Sequence, residues 1–389
     1  MLAQHGSIRN SRAHAIAAQA VGRVPFLDLS AACAPLNERL LSEIGELFDT
    51  GAFTNGPPVA GFETAFAEYC GVDHCVGVAS GLDALRLGLL ATGLEPDDEV
   101  IVPAATFVAT LEAVTQARGV PVVVDVSAQD HCLDPGAVTA AIGPRTHALM
   151  PVHLYGQMAD MNALRRAAEA RRVTIVEDAC QAHGAEREGL RAGAVGAAAA
   201  FSFYPGKNLG AAGDAGAFVT ADAEAAARVR ALREHGQTAK YVHSFEGWTA
   251  RLDAIQALVL LHKLPLLDRW NGERRWAAGF YNDVLEGVGD LRLPPVPAGS
   301  SPVWHLYVVR TAEPERLAAF LHERGIGTAR HYPEPVHLTV AYAWLGHRPG
   351  DFPVAEALAR ECLSLPIFPG ITEPQLAAIV DTVRAFFDG

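Results

Sequence analysis

From residue 75 onward the apolar positions alternate between two patterns. Short runs dense in Val, Ile and Ala, at 75–79, 99–102, 121–125, 147–152, 173–177, 199–203 and 217–220, show no polar alternation. Strands buried on both faces read this way. Between them, 82–91, 109–118, 161–171 and 223–235 carry apolar residues at helical spacing and leave charges such as Arg165, Glu169 and Arg230 for solvent. The alternation predicts a mostly parallel sheet of seven strands sandwiched by crossover helices, an α/β fold. After Ala254 the pattern becomes a long apolar helix through Leu267, a Pro-rich stretch at 294–302 and a strand-like run at 305–310. A smaller C-terminal α+β domain is expected there. The predicted organisation is a loose tail at 1–25, a large α/β domain at 26–255 and a small domain at 256–389.

A chain of 389 residues, half of them apolar, is long enough to bury one large core and a smaller one. The net charge of −13 and the scatter of basic residues among acidic ones give no patch that could follow a phosphate backbone, so nucleic acid is not an expected partner. Six cysteines lie without the paired spacing of a zinc site or a redox pair, which predicts reduced thiols, a cytoplasmic location and no metal. No run approaches the roughly 20 apolar residues of a membrane span. The first two dozen residues hold Arg9, Arg12 and Arg23 but neither a continuous apolar segment nor a cleavage site for export.

Ligands of open α/β sheets bind outside the carboxyl ends of the strands, and four such places carry chemistry here. At 79–84 a strand ends in Ser80-Gly81 and a helix begins, where free amides and the helix dipole would cradle a phosphate. At 103–107 Phe107 could lie flat on a ring, although an aromatic at such a position is ordinarily core. The apolar strand at 173–177 runs into Asp178, a carboxylate able to keep a pyridine nitrogen protonated, although strand-end Asp commonly caps a turn. At 201–210 Lys207 follows a buried strand, is bracketed by Gly206 and Gly210, and stands near the glycines of 213–216 in a chain with few lysines. Desolvation would lower its pKa and free the amine to form a Schiff base. Each signal alone has a commonplace reading. Arriving in order along one sheet, they are the parts that pyridoxal phosphate (PLP) chemistry requires.

The motifs SGLDAL (80–85), TFVAT (106–110), PVHLYGQMADM (151–161), EDACQAHGA (177–185), FSFYPGKNLGA (201–211), RLDAIQA (251–257) and HYPEPVH (331–337) resemble those of the DegT/StrS-type sugar aminotransferases, from about Phe26 to the C-terminus. The resemblance implies a fold type I PLP enzyme in which Lys207 holds the cofactor covalently and shuttles a proton, with pyridoxamine phosphate as the intermediate form. It places Asp178 on the pyridine nitrogen, Gln181 on the ring hydroxyl, Phe107 on the ring face, and the Gly81 and Leu82 amides with Ser80 and the Ser202 hydroxyl at the phosphate; His183 is expected to pack behind the site. Family members commonly carry Asn two residues before the Arg of the RLD motif, given to the phosphate by the neighbouring subunit of a homodimer; this chain has Thr249, with a shorter reach. Tyr204, Lys240, Tyr241, His243, His331 and Tyr332 are candidates for the sugar and diphosphate end, although each could be an ordinary surface or packing residue.

The implied reaction takes an amino group, by family analogy from glutamate, to a keto group of a nucleotide-linked deoxysugar. The SGLDAL and FYPGKNLG motifs, with the 241–251 region, resemble the enzymes that aminate C3 of deoxythymidine-diphosphate keto-deoxysugars. Amination at C4, or of a cyclitol ketone, fits the same residues, because the carbon attacked depends on how the sugar is presented. A PLP-dependent sugar dehydratase typically has histidine where Lys207 stands. A non-catalytic binding or regulatory protein of the same fold would have no chemical reason to keep Lys207, Asp178, Gln181 and Ser202 together.

Overall fold

The computed structural model describes residues 22–389. Most of the segment expected to be a loose tail lies outside these residues. Its end does not hang free: Val24 is buried, and its amide donates to the Gly325 carbonyl at 2.9 Å.

Seven strands form one sheet: β1 His74–Val78, β2 Glu99–Pro103, β3 Val120–Val124, β4 Thr146–Leu149, β5 Thr174–Asp178, β6 Ala198–Ser202 and β7 Gly216–Thr220, in the order β1-β7-β6-β5-β4-β2-β3. Only β7 runs against its neighbours β1 and β6; all other pairs are parallel. Six strands therefore end on one edge, and the residues that follow them share it. Each expected strand is found within one to three residues of its expected ends, because burial on both faces marks it in the sequence.

Helices α1 Asn37–Thr50 and α2 Pro57–Cys70 precede the sheet, α3 Gly81–Ala91, α4 Ala109–Gln116, α5 Pro135–Ala141 and α6 Met161–Glu169 connect its strands, and α7 Ala223–Leu232 follows the last of them. Phe62 and Phe66 of α2 meet Phe203 edge-on at centroid distances of 5.2 and 5.1 Å, and Phe66 meets Phe201 at 5.0 Å. Such aromatic contacts add about 0.5–1.5 kcal/mol each beyond area burial. They pin the segment from which the Lys207 loop leaves.

The helix expected from Ala254 through Leu267 stops at Lys263, and a second helix follows that the pattern did not predict. Helix α8 Ala254–Lys263 and helix α9 Leu267–Leu285 are separated by a 3₁₀ turn at Leu264–Leu266, whose Pro265 has no amide to continue an α-helix. A boundary at 255/256 would cut through α8, whose Ala257 and Leu260 pack with the core of the large sheet. A second core gathers residues of α9, β8 Tyr307–Arg310, α10 Pro314–Glu323, β9 Cys362–Leu365 and α12 Glu373–Asp388, with Val24; α11 Pro353–Glu361 leans instead on the first core.

Candidate active site

A cavity of about 590 Å³ opens at the carboxyl edge of the sheet, and all four sequence-derived places line it, joined by residues of the second core's segments. Its floor begins at Ser80. In extended backbone, this residue caps α3, its Oγ accepting from the Asp83 amide at 3.0 Å. Gly81 and Leu82 open the helix, so their amides have no carbonyl within it and offer the positive end of its dipole. No side chain fits there: a Cβ on Gly81 would lie 2.7 Å from both Cys180 Sγ and Ser202 Cβ, and one on Gly216 would lie 2.3 Å from the Ser80 carbonyl. The two glycines let the helix start press against the end of β6 and the start of β7, beside the Ser202 hydroxyl.

Asp178, the last residue of β5, is buried and oriented from both sides. Thr110 Oγ donates to its Oδ2 at 2.8 Å, Thr110 lies 2.7 Å from Thr106 Oγ, and the Cys180 amide donates to Oδ1 at 3.2 Å. Gln181 is clamped as well: the Tyr155 amide donates to its Oε1 at 2.7 Å, and its Nε2 donates to Tyr332 Oη at 3.2 Å. Gly156, at φ 91°, lets this corner dock against the second core's segments, since a Cβ there would lie 2.8 Å from the His305 amide.

The chain has three lysines, and Lys207 is the one that reaches the cavity. Lys240 sits on an exposed hairpin, and Lys263 is spent on the Gly210 carbonyl at 2.7 Å. Burial pushes the Lys207 ammonium below its ordinary pKa, against the opposing pull of Cys180 and Asp178. At the mouth Phe107, half exposed, lies 5.4 Å from the Tyr332 ring, while Phe26 stacks on His331 at 5.6 Å. His331 donates or accepts at Ser364 Oγ at 2.8 Å, and burial pushes its pKa to about 4. His183 lies behind the floor, fully buried, with Nε2 2.9 Å from the Ser202 carbonyl and its pKa pushed by burial to about 3.

Of the sequence candidates, Ser80, Gly81, Leu82, Phe107, Asp178, Gln181, Ser202, Tyr204, Lys207, His331 and Tyr332 line this cavity. Four do not. Lys240, Tyr241 and His243 belong to the exposed hairpin of Gln237–Ala239 and Val242–His243, and Thr249 bonds His235 Nε2 at 2.8 Å on the surface. The cavity also holds residues the sequence reading did not single out: Phe26, Leu27, Thr110, Cys180, His305 and Ile367. Thr110 had a signal, since it stands four residues after Thr106 at the start of a predicted helix. Phe26, His305 and Ile367 had none, for they are distant in sequence and meet the sheet edge only after folding.

These groups fit PLP: two helix-end amides and a hydroxyl for an anion, an oriented carboxylate, an amine held below its ordinary pKa and an aromatic at the mouth. Residues 35–384 match the DegT/DnrJ/EryC1/StrS aminotransferase family. A Streptomyces venezuelae protein, dTDP-3-amino-3,4,6-trideoxy-alpha-D-glucose transaminase, is 49% identical over 93% of this chain and 96% of its own. The crystal structure of S. venezuelae DesV in complex with ketimine intermediate superposes with a TM-score of 0.92 at 48% identity, covering 95% of this chain and all of that one. The structure of ntda from Bacillus subtilis with bound cofactor PMP gives a TM-score of 0.87 at 30% identity, over 95% of this chain and 86% of that one. The chain belongs to the DegT/DnrJ/EryC1/StrS aminotransferase family.

Proposed function

We propose that this chain is a PLP-dependent transaminase that moves an amino group from glutamate to C3 of a nucleotide-linked keto-deoxysugar. The observation that carries the reading is the cavity that holds the Lys207 amine, the Asp178 carboxylate and the Gly81–Leu82 amides together. The C3 preference is supported by the name of the 49% identical relative, and the cofactor by the PMP-bound neighbour. When bound, PLP supplies an electron sink that lets a carbon beside nitrogen lose a proton. Lys207 Nζ holds the cofactor and, once released, takes that proton and returns it at the neighbouring carbon. Asp178, fixed by Thr110 and the Cys180 amide, keeps a negative charge at the pyridine nitrogen. Gly81, Leu82 and Ser202 take the phosphate, Gln181 the ring hydroxyl, and Phe107 the ring face. Tyr204, His331 and Tyr332 form the sugar end of the cavity.

The enzyme works as a cytoplasmic homodimer in this reading. All six cysteines are unpaired, and Thr249 and the Lys240–His243 hairpin, which do not line their own cavity, serve the partner's. The test uses purified protein with PLP. Wild type shows a borohydride-reducible absorbance that glutamate bleaches and a dTDP-linked 3-keto sugar restores. Lys207→Ala loses the reducible species and slows turnover by about 10²–10⁴-fold. Return of the absorbance with 4-keto sugars or cyclitol ketones alone would overturn the C3 assignment, and bound PLP without exchange at the α-carbon of glutamate would favour a binding protein.

A further inference from the structure

His305 lines the cavity with Lys207, and its proton placement is set by a chain of side-chain amides. Asn208, the residue after Lys207, donates from Nδ2 to Asn271 Oδ1 at 2.9 Å and to the Val303 carbonyl at 2.8 Å. Asn271 in turn donates from Nδ2 to the His183 carbonyl at 2.8 Å, which fixes which of its own atoms is the oxygen. Both donors of Asn208 are thereby committed, and Oδ1 is the atom that faces His305 Nδ1, 3.2 Å away. An amide oxygen only accepts, so Nδ1 of His305 carries the proton and Nε2 presents a lone pair. Among the described residues Nε2 has no hydrogen-bond partner, and it is not one of the sealed, unpartnered polar atoms. The buried Arg274 holds the same segment through the Trp304 and His305 carbonyls at 3.2 and 3.4 Å and ties it to the Ile367 carbonyl at 2.8 Å.

We propose that His305 is a positioning residue whose Nε2 accepts a hydrogen bond from the sugar hydroxyl next to the reacting carbonyl, and so acts in the keto-sugar half of the reaction. This rests on the function proposed above. An acceptor-only nitrogen suits a hydroxyl and has nothing to give the carboxylates of an amino-acid donor, whose one donor group, the α-amine, is the group consumed in the reaction. Burial and the cationic neighbours Lys207 and Arg274 keep the imidazole uncharged, in line with this role.

The two half reactions of the holoenzyme are followed separately by single-turnover absorbance. His305→Phe is expected to slow the keto-sugar half by about 10- to 100-fold, with a much smaller change in the glutamate half. His305→Gln, which keeps an acceptor, recovers most of the loss, and a keto sugar lacking the neighbouring hydroxyl shows no difference between wild type and His305→Phe. In ¹⁵N-histidine spectra of wild-type holoenzyme, the His305 signals, identified by their absence in His305→Gln, report an Nδ1–H tautomer, and nucleotide sugar shifts Nε2. Equal loss in both half reactions, no recovery with Gln, or an Nε2–H tautomer overturns the proposal while sugar amination by wild type stands. Failure of wild type to aminate any nucleotide-linked keto sugar overturns instead the function on which it rests, and the spectra still decide the tautomer.

Discussion

Adjacent carboxylates at the end of β5 have opposite surroundings. Asp178 faces the cavity. Glu177 is fully buried away from it, accepting from His153 Nε2 at 2.8 Å and from the Gly193, Val195 and Gly196 amides at 3.0, 2.8 and 2.7 Å. The Ala159 amide donates to His153 Nδ1 at 3.2 Å, which leaves the ring's proton on Nε2 for Glu177. Burial alone would raise the Glu177 pKa, but His153 and the loop amides outweigh it and hold the carboxyl below its ordinary value. Glu177→Gln would turn an NH₂ toward amide donors and remove the charge they solvate, costing about 3 kcal/mol in urea unfolding. The folded carboxyl is the more acidic, so its contribution is present above an unfolded value of about 4.3 and is lost as pH falls through the folded one. Wild-type stability should therefore decline in that acid window with a steeper slope than that of Glu177→Gln.

At the level of elements, the site depends on how closely α3 approaches the sheet. Gly216 opens β7 between Val78 and Ser202, and the Ser80 carbonyl occupies the space a side chain would take. Both neighbours are backbone and have no rotamer to relax into. Gly216→Ala is expected to cost about 1–3 kcal/mol and to push the α3 amides away from Ser202. PLP titration should show weakened binding in this variant beyond what its unfolding midpoint accounts for. Element identity was legible in the sequence because strands buried on both faces and amphipathic helices have different periods. Ends were less so: the pattern at 109–118 runs past the last helical residue, Gln116, because Ala117, already outside the helix, is buried by packing and continues the apolar spacing, while Arg118 turns left-handed at φ 68°.

At the scale of the whole molecule, apolar side chains remain uncovered. Leu41 and Phe48 on α1 are 70% and 66% exposed, and Tyr241 on the hairpin is 81% exposed. Large apolar groups gathered on a surface mark a partner's place. If the homodimer covers α1, the double substitution Leu41→Glu and Phe48→Glu should halve the mass seen by light scattering. It should also lower sugar turnover, since the Lys240–His243 hairpin would no longer reach a second cavity. A variant that stays dimeric would move the interface elsewhere.

Local pattern and residue chemistry were enough to determine the α/β class, the seven strands, and Ser80-Gly81, Asp178 and Lys207 as parts of one site. Strand-end position and residue type are local properties, and the parallel sheet places such ends together. Only the tertiary structure decided that Phe26, His305 and Ile367 join that cavity, that Thr110 orients Asp178, that α8 and α9 are separate helices, and that Thr249 and the Lys240–His243 hairpin stand away from it. These depend on segments far apart in the chain meeting at one edge, and on which amide of a buried network faces which way. Neither carries a periodicity that a linear pattern could hold.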